Sequence, residues 1–312
     1  MATKLLIVGN AAMDMILQLP HLPEAGGTLL SEGGGIFYQA GGAASNCAIA
    51  LGKLGGAPIL AARLGGDVNG QRLHTLYTEC GVATSALTVD PRTPTGTSVI
   101  LLESDGTTRE VIYPGAAARY TEEDLETAFS LNPGAVCIQM GIAREIILAA
   151  AHRAHERGLP IVLFDRPMDP DFPLEKMPPV EIACFNEEEI ECMTGIRPNG
   201  ENSALQALLL LQKKLKANYY VIKMGNRGCF LFDGVHRQLI SPYLIKVIDA
   251  AGGGDAFVAG MCAAYFENGG NITNACRYAT AVAAVTLMRA GTVPAFPTKE
   301  EINGFIAHNG LK

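Results

Sequence analysis

The sequence predicts an α/β fold: a doubly wound, mostly parallel sheet with helices on both faces and a small β-sheet lid beside it. Three observations carry this reading. From residue 135 onward, short apolar runs alternate with stretches of helical spacing. Residues 4–80 show the same alternation twice. Segments 15–19, 28–39 and 97–114 break the alternation and read as extra strands gathered at one end.

Taken in order, Lys4–Val8 is a short buried strand, and residues 43–54 carry apolar side chains at Ala44, Ala48, Leu51 and Leu54, the spacing of a helix face. A strand over 58–63 and a helix over 67–80 follow. Residues 97–103 and 109–114 flank Ser104-Asp105-Gly106-Thr107, whose Asp-Gly step favours the positive φ angles of a tight hairpin. Strand Ala135–Gln139, helix 143–157 and strand 160–164 come next, then a strand over 180–184 and a helix opening at Asn186. Helix 202–216 leads to strands 219–223, 228–232 and 237–241, and the rest is helical over 255–267, 273–288 and 299–307. No repeat, low-complexity tract or linker divides the chain, so the expectation is one domain, 1–312, with a discontinuous lid from about 14–40 and 97–114.

Composition narrows the function classes. With 48% hydrophobic and 18% charged residues, the 312-residue chain can bury a full core. No apolar run approaches the roughly 20 residues that span a bilayer, and the N-terminus lacks a signal-peptide layout. A net charge of −7 and no basic stripe argue against nucleic acid. Eight scattered cysteines without a C-x-x-C pair read as reduced, buried thiols of a cytoplasmic protein, and no zinc-ligand cluster appears. The 35 glycines fall largely in short clusters, suited to close approach of backbone to a ligand.

The strongest motif is Asp249-Ala250-Ala251-Gly252-Gly253-Gly254-Asp255, just before an apolar helix. Three glycines opening a helix aim free N–H groups from its positive end, a cradle for a phosphate. Asp255 then reads either as a base beside that phosphate or as an ordinary helix N-cap. Gly41-Gly42 followed by Asn46 offers close backbone and a mixed donor–acceptor to a polyol, or is a plain strand-to-helix turn. Asp14, after the first strand, is placed either to grip hydroxyls or as a turn residue. Asn186 and Glu189 form a capping-box pair that could also hold the waters of a magnesium ion. Gly225-Asn226-Arg227-Gly228 is a hairpin turn or wraps a nucleotide. Neither a P-loop nor G-x-G-x-x-G is present, which removes those two nucleotide sites.

In this order the segments resemble the ribokinase-like, PfkB-type carbohydrate kinases over nearly the whole chain. The likeness includes Gly65-Gly66-Asp67-Val68-Asn69-Gly70 and Lys223-Met224-Gly225-Asn226-Arg227-Gly228. It implies that Asp255 is the catalytic base and that Gly252, Gly253 and Gly254 form the anion hole. It implies that Asp14, Gly41, Gly42 and Asn46 hold the acceptor, and that Asn186, Lys223, Gly225 and Gly228 line ATP. Asn186 and Glu189 would organise Mg²⁺ through water, and Asp249, Ala251 and Gly291 would flank a monovalent cation such as K⁺. A homodimer through the β lid is implied as well.

Departures from the family pattern are equally visible. Gly253 stands where alanine is usual, Gly66 replaces an aspartate, and Ala295 stands where a serine is usual near the cation site. The segment Gln139-Met140-Gly141 lacks the glutamate that contacts sugar in ribokinase. The expected activity is therefore ATP-dependent phosphorylation of a hydroxymethyl group on a sugar or sugar derivative. A nucleoside kinase acting on a ribose 5′-hydroxyl, or a non-catalytic sensor of sugar or nucleotide, are the rival readings.

Overall fold

The computed structural model of the chain describes residues 3–31, 34–165, 169, 171–267 and 269–311. In chain order the elements are β1 (Lys4–Val8), β2 (Ala12–Leu19), β3 (Ile36–Gly41), α1 (Ala43–Lys53), β4 (Ala57–Ala61), β5 (Arg63–Gly65), α2 (Val68–Glu79), β6 (Thr88–Asp90), β7 (Gly96–Glu103) and β8 (Thr108–Tyr113). Then come α3 (Glu122–Ser130), β9 (Ala135–Gln139), α4 (Arg144–Glu156), β10 (Ile161–Phe164), β11 (Val180–Asn186), α5 (Glu187–Thr194) and α6 (Glu201–Lys214). The chain finishes with β12 (Ala217–Lys223), β13 (Cys229–Phe232), β14 (Arg237–Ile240), α7 (Gly253–Glu267), α8 (Ile272–Leu287) and α9 (Lys299–Asn309).

The main sheet runs β14-β13-β12-β11-β10-β9-β1-β4, parallel from β4 to β12 and closed at one edge by the antiparallel pair β13–β14. Strands β1, β4, β9 and β10 are buried almost throughout and apolar without alternation because both faces are covered. On β1, Leu5 and Ile7 join a core with α1, α2, α7, α8 and α9. Leu6 and Val8 join the opposite core, with α3, α4, α5 and α6. One strand thus feeds both cores through its period of two.

Topology locates the site. From β1 the chain reaches its neighbour β4 through α1 on one face, and later its other neighbour β9 through α3 on the opposite face. Connections that diverge this way leave a crevice at the carboxyl ends of β1 and β9. The segments after β10, β11 and β12 open on that same edge of the sheet.

A separate four-stranded sheet, β3-β2-β7-β8, stands at this edge. Three expectations are corrected here. Asp14 lies inside β2, paired with Gln39 and Ser98, and not in a connection of the main sheet. The strand expected over 58–63 is two strands, because β5 leaves the main sheet to pair with β6. Of the segment 28–39, only residues from Ile36 onward are strand, and Glu32 and Gly33 lie outside the described residues.

Candidate active site

The glycine loop lies as its composition demands. Gly252 has φ +72°, and the first ladder bond of α7 runs from Ala256 N–H to Gly252 O at 2.9 Å. The N–H groups of Gly253, Gly254 and Asp255 therefore precede the ladder, at the positive end of the helix. The glycine at 253 has a local cause. A methyl there would come 2.7 Å from Leu287 Cδ2, so the end of the Leu287 side chain would have to shift to admit alanine.

Asp255 is the third residue of α7, so it is not the N-cap of that helix. Its Oδ2 accepts a 2.9 Å bond from Asn46 Nδ2 in the first turn of α1. Burial pushes the carboxyl up to about 7, with Asp165 and Glu189 adding to the rise while the Asn46 bond and Lys223 oppose it. Lys223 ends β12, and its Nζ lies 3.3 Å from where a Cβ on Gly254 would stand. Burial works against that ammonium, but Glu189, Cys184, Asp255 and Asp165 outweigh it and raise its pKa.

Asp14 reaches the same place from the small sheet. Gly41 has no side chain because any Cβ would collide with the Asp14 carboxyl. Burial, then Glu110 and Asp255, push Asp14 up to about 7. Gly42, at φ +88°, turns the chain from β3 into α1. Asp14, Gly41, Gly42, Asn46 and Asp255 thus meet at one end of the crevice.

At the other end a cleft of about 560 Å³ is lined by Asn186, Lys223, Gly225, Gly228, Gly253 and Gly254. Gly225–Arg227 is a single 3₁₀ turn joining antiparallel β12 and β13, so a hairpin turn also lines the cleft. Arg227 pairs with Glu187 at its rim. Asn186 and Glu189 do form the capping box. Asn186 Oδ1 accepts from Glu189 N–H at 2.8 Å, while the Glu189 carboxylate accepts from both nitrogens of Asn186 at 2.6 Å. Asp249, Ala251 and Gly291 also come together: Asp249 Oδ1 accepts from Ala251 N–H at 2.9 Å and Oδ2 from Gly291 N–H at 2.8 Å.

Several residues at this edge escaped the sequence. Gln139 ends β9, accepts from Asn10 N–H at 2.9 Å and donates to Asp165 Oδ2 at 2.8 Å. Asp165 follows β10 and holds φ +65°, a left-handed conformation that aspartate tolerates better than most residues. The signal available was position: both lie at the carboxyl ends of parallel strands, as Asn186 does. The cleft's apolar wall, with Tyr243, Ala283 and Ala284, reads in sequence as ordinary core. Asp67, in the departing Gly65-Gly66-Asp67 segment, caps α2 through Gly70 N–H and ties down Thr95. A hollow of about 710 Å³ at the outer edge of the small sheet, around Gln18, Leu30 and Glu103, contains none of these groups.

The chain as a whole is similar to known proteins. The chain is 29% identical over 311 residues to the ribokinase of Arabidopsis thaliana, covering 96% of this chain and 80% of that one. It is 22% identical to the deoxyribokinase of Salmonella typhi, covering 97% and 98%. The solved structure of Arabidopsis thaliana ribokinase complexed with ribose and ATP superposes with a TM-score of 0.85 at 27% identity, covering 98% of this chain and 99% of that one. The family model for pfkB family carbohydrate kinases matches residues 2–299, and the chain belongs to that family.

Proposed function

We propose that Asp255 is the base of a phosphoryl transfer from ATP to a hydroxymethyl group, with Asp14, Gly41, Gly42 and Asn46 holding the acceptor. The family makes the chain a sugar kinase that phosphorylates a hydroxyl. One observation carries the assignment of roles: Asp255, hydrogen-bonded to Asn46, stands between the Asp14 end of the crevice and the 560 Å³ cleft. ATP lies in that cleft, along Asn186, Lys223, Gly225 and Gly228. The N–H groups after Gly252, with Lys223, meet the charge that grows on the transferring group. Asn46 orients the Asp255 carboxylate, which takes the hydroxyl proton as the new O–P bond forms. A panel of free sugars, sugar acids, sugar phosphates and nucleosides, scored by acceptor-dependent ADP release, tests the reading. Release with none of them sinks it.

The donor set suits a magnesium ion that arrives with the nucleotide. Among the described residues no group of three or more His, Cys, Asp or Glu could hold a metal. Glu189 is a carboxylate tied to Asn186 of the cleft wall, the type of group that accepts from metal-bound water. When bound, Mg²⁺ neutralises charge on the ATP oxygens. Glu189→Gln is expected to raise the Mg²⁺ concentration needed for half-maximal rate about 10-fold, in line with other residues that hold metal-bound groups in place. A variant that loses only melting temperature, with an unchanged metal titration, reduces Glu189 to its capping role.

Three further readings accompany this one. The small sheet acts as a lid on the acceptor. Ile36, Phe37, Tyr38, Val111, Ile112 and Tyr113 on its strands are each more than half exposed, which supports a dimer through that sheet; sedimentation showing only monomer at working concentration contradicts it. A K⁺ ion beside Asp249, Ala251 and Gly291 is expected to stimulate turnover, and equal rates in tetramethylammonium salts contradict that. No helix among the described residues is long and apolar enough to cross a membrane. The eight free thiols support a reducing, cytoplasmic setting, which cell fractionation tests.

A further inference from the structure

Residues 291–296 are gripped by three parts of the fold. From β3 of the small sheet, Gln39 Oε1 accepts from Thr292 N–H at 3.4 Å, and the Ala40 carbonyl accepts from the Thr292 hydroxyl at 3.3 Å. From the end of α1, Lys53 donates to the Val293 carbonyl at 2.8 Å. Ahead of the glycine loop, Asp249 accepts from Gly291 N–H at 2.8 Å. Thr292 is 3% exposed, and its carbonyl accepts from Ala295 and Phe296 N–H at 3.0 and 3.1 Å, which folds the segment into a tight turn. The turn sets Phe296 against Gly252. A methyl on Gly252 would stand 2.9 Å from Phe296 Cε1 and 3.4 Å from Thr292 Cγ2. Gly252 is the residue whose positive φ leads into the free N–H groups of α7, so this turn packs on the phosphate cradle itself.

Register ties Gln39 to the acceptor end as well. It lies opposite Asp14 in the antiparallel pair β2–β3. Opposite residues of such a pair project from one face, with Cβ atoms about 4.5–5.5 Å apart. The Asp14 carboxyl and the Gln39 amide therefore share a face of the small sheet. Its two bonds to Thr292 are longer than the usual range of roughly 2.7–3.2 Å. Inward movement of β3 shortens them, and outward movement breaks them. The sheet that carries Asp14 and the loop that cradles phosphate are thus joined through one buried threonine.

We infer that Gln39 is a positioning residue that couples the place of the small sheet to the glycine loop through Thr292. The proposal rests on the assignment of ATP to the cleft and goes beyond it. Phosphate drawn to the N–H groups after Gly252 fixes the loop. The turn packed on that loop then holds Thr292, and Thr292 holds β3. Occupancy of the nucleotide end therefore steadies the acceptor lid before an acceptor arrives. By linkage, an acceptor that draws the sheet inward steadies the cradle in return.

Hydrogen exchange with and without the non-hydrolysable β,γ-imido analogue of ATP, in Mg²⁺ and K⁺, reads this coupling in the absence of an acceptor. Because β3 is an edge strand, its amides report readily on such steadying. In the parent, exchange is expected to slow at least about 5-fold in residues 217–228, which line the cleft, and in residues 36–41, which do not. Gln39→Met keeps the length of the side chain and removes the oxygen. It is expected to retain protection of 217–228 and to lose most of that over 36–41. A glutamine that only stabilised the fold would lower the melting temperature and leave the nucleotide-induced protection of 36–41 intact. Thr292→Val removes the bond to Ala40 and keeps the side-chain shape, so it should weaken the same protection should methionine disturb β3. Protection of 36–41 that persists undiminished in both variants, or that is missing from a parent whose cleft is protected, overturns the proposal and leaves the ATP assignment standing. A cleft that the analogue fails to protect removes both.

Discussion

Asp255→Asn is expected to lower kcat by roughly 10²–10⁴ while leaving ATP affinity within about threefold, the pattern of a lost general base. The substitution keeps the shape of the side chain and the bond from Asn46, so the fold and the glycine loop should persist. The pH dependence carries a second signature. With the carboxyl raised to about 7, log kcat/KM of the parent should climb with pH and level off above about 7. In the variant that limb should disappear. Asp14, also near 7, titrates in the same range, so the limb belongs to the pair and its loss in the variant is the informative change.

Stability should move in the opposite sense. The folded Asp255 retains a proton that the unfolded chain releases, from the ordinary value of 3.8 up to about 7. Stability contributed by this group is therefore lost as pH rises through that window. Asp255→Asn cannot ionise, so its melting temperature relative to the parent should be higher at pH 8 than at pH 4. Turnover within a few-fold of the parent across this pH range would remove Asp255 from the chemistry.

Asp14→Ala is expected to weaken acceptor use about 10- to 150-fold in kcat/KM, the scale of one charge-assisted hydrogen bond worth about 1.5–3 kcal/mol. The KM for ATP should stay nearly constant, because Asp14 enters from β2 of the small sheet and does not line the nucleotide cleft. Gly41 leaves this carboxylate its room. Impaired ATP use with normal acceptor use would reverse the two ends of the crevice.

Local patterns explain what could be read before folding. The strands Ala135–Gln139 and Lys4–Val8 are short apolar runs with no rival interpretation, and they match residue for residue. Asn186 and Glu189 announced a capping box because both partners lie within one helical turn. The glycine loop was visible for the same reason, three glycines before an apolar helix. What stayed hidden depends on topology. Asp14 looked like a residue of a connection because strand β2 begins only four residues after β1 ends, and nothing local says that it joins another sheet. Asp165 and Gln139 are 26 residues apart, and Asn10 is 129 residues from Gln139. They meet because β1, β9 and β10 are adjacent in a parallel sheet, an order that no short stretch of sequence encodes.

The central claim, that a hydroxymethyl oxygen attacks the γ-phosphorus of ATP beside Asp255, has one direct test. The product made from the acceptor with the highest kcat/KM can be examined by phosphorus–proton correlation NMR. The account predicts a phosphomonoester whose phosphorus couples to two protons on one carbon, formed by the parent enzyme and at least about 100-fold more slowly by Asp255→Asn. Phosphorus coupled to the single proton of a secondary or anomeric carbon, or formation of the same product by Asp255→Asn at the parent rate, would contradict it.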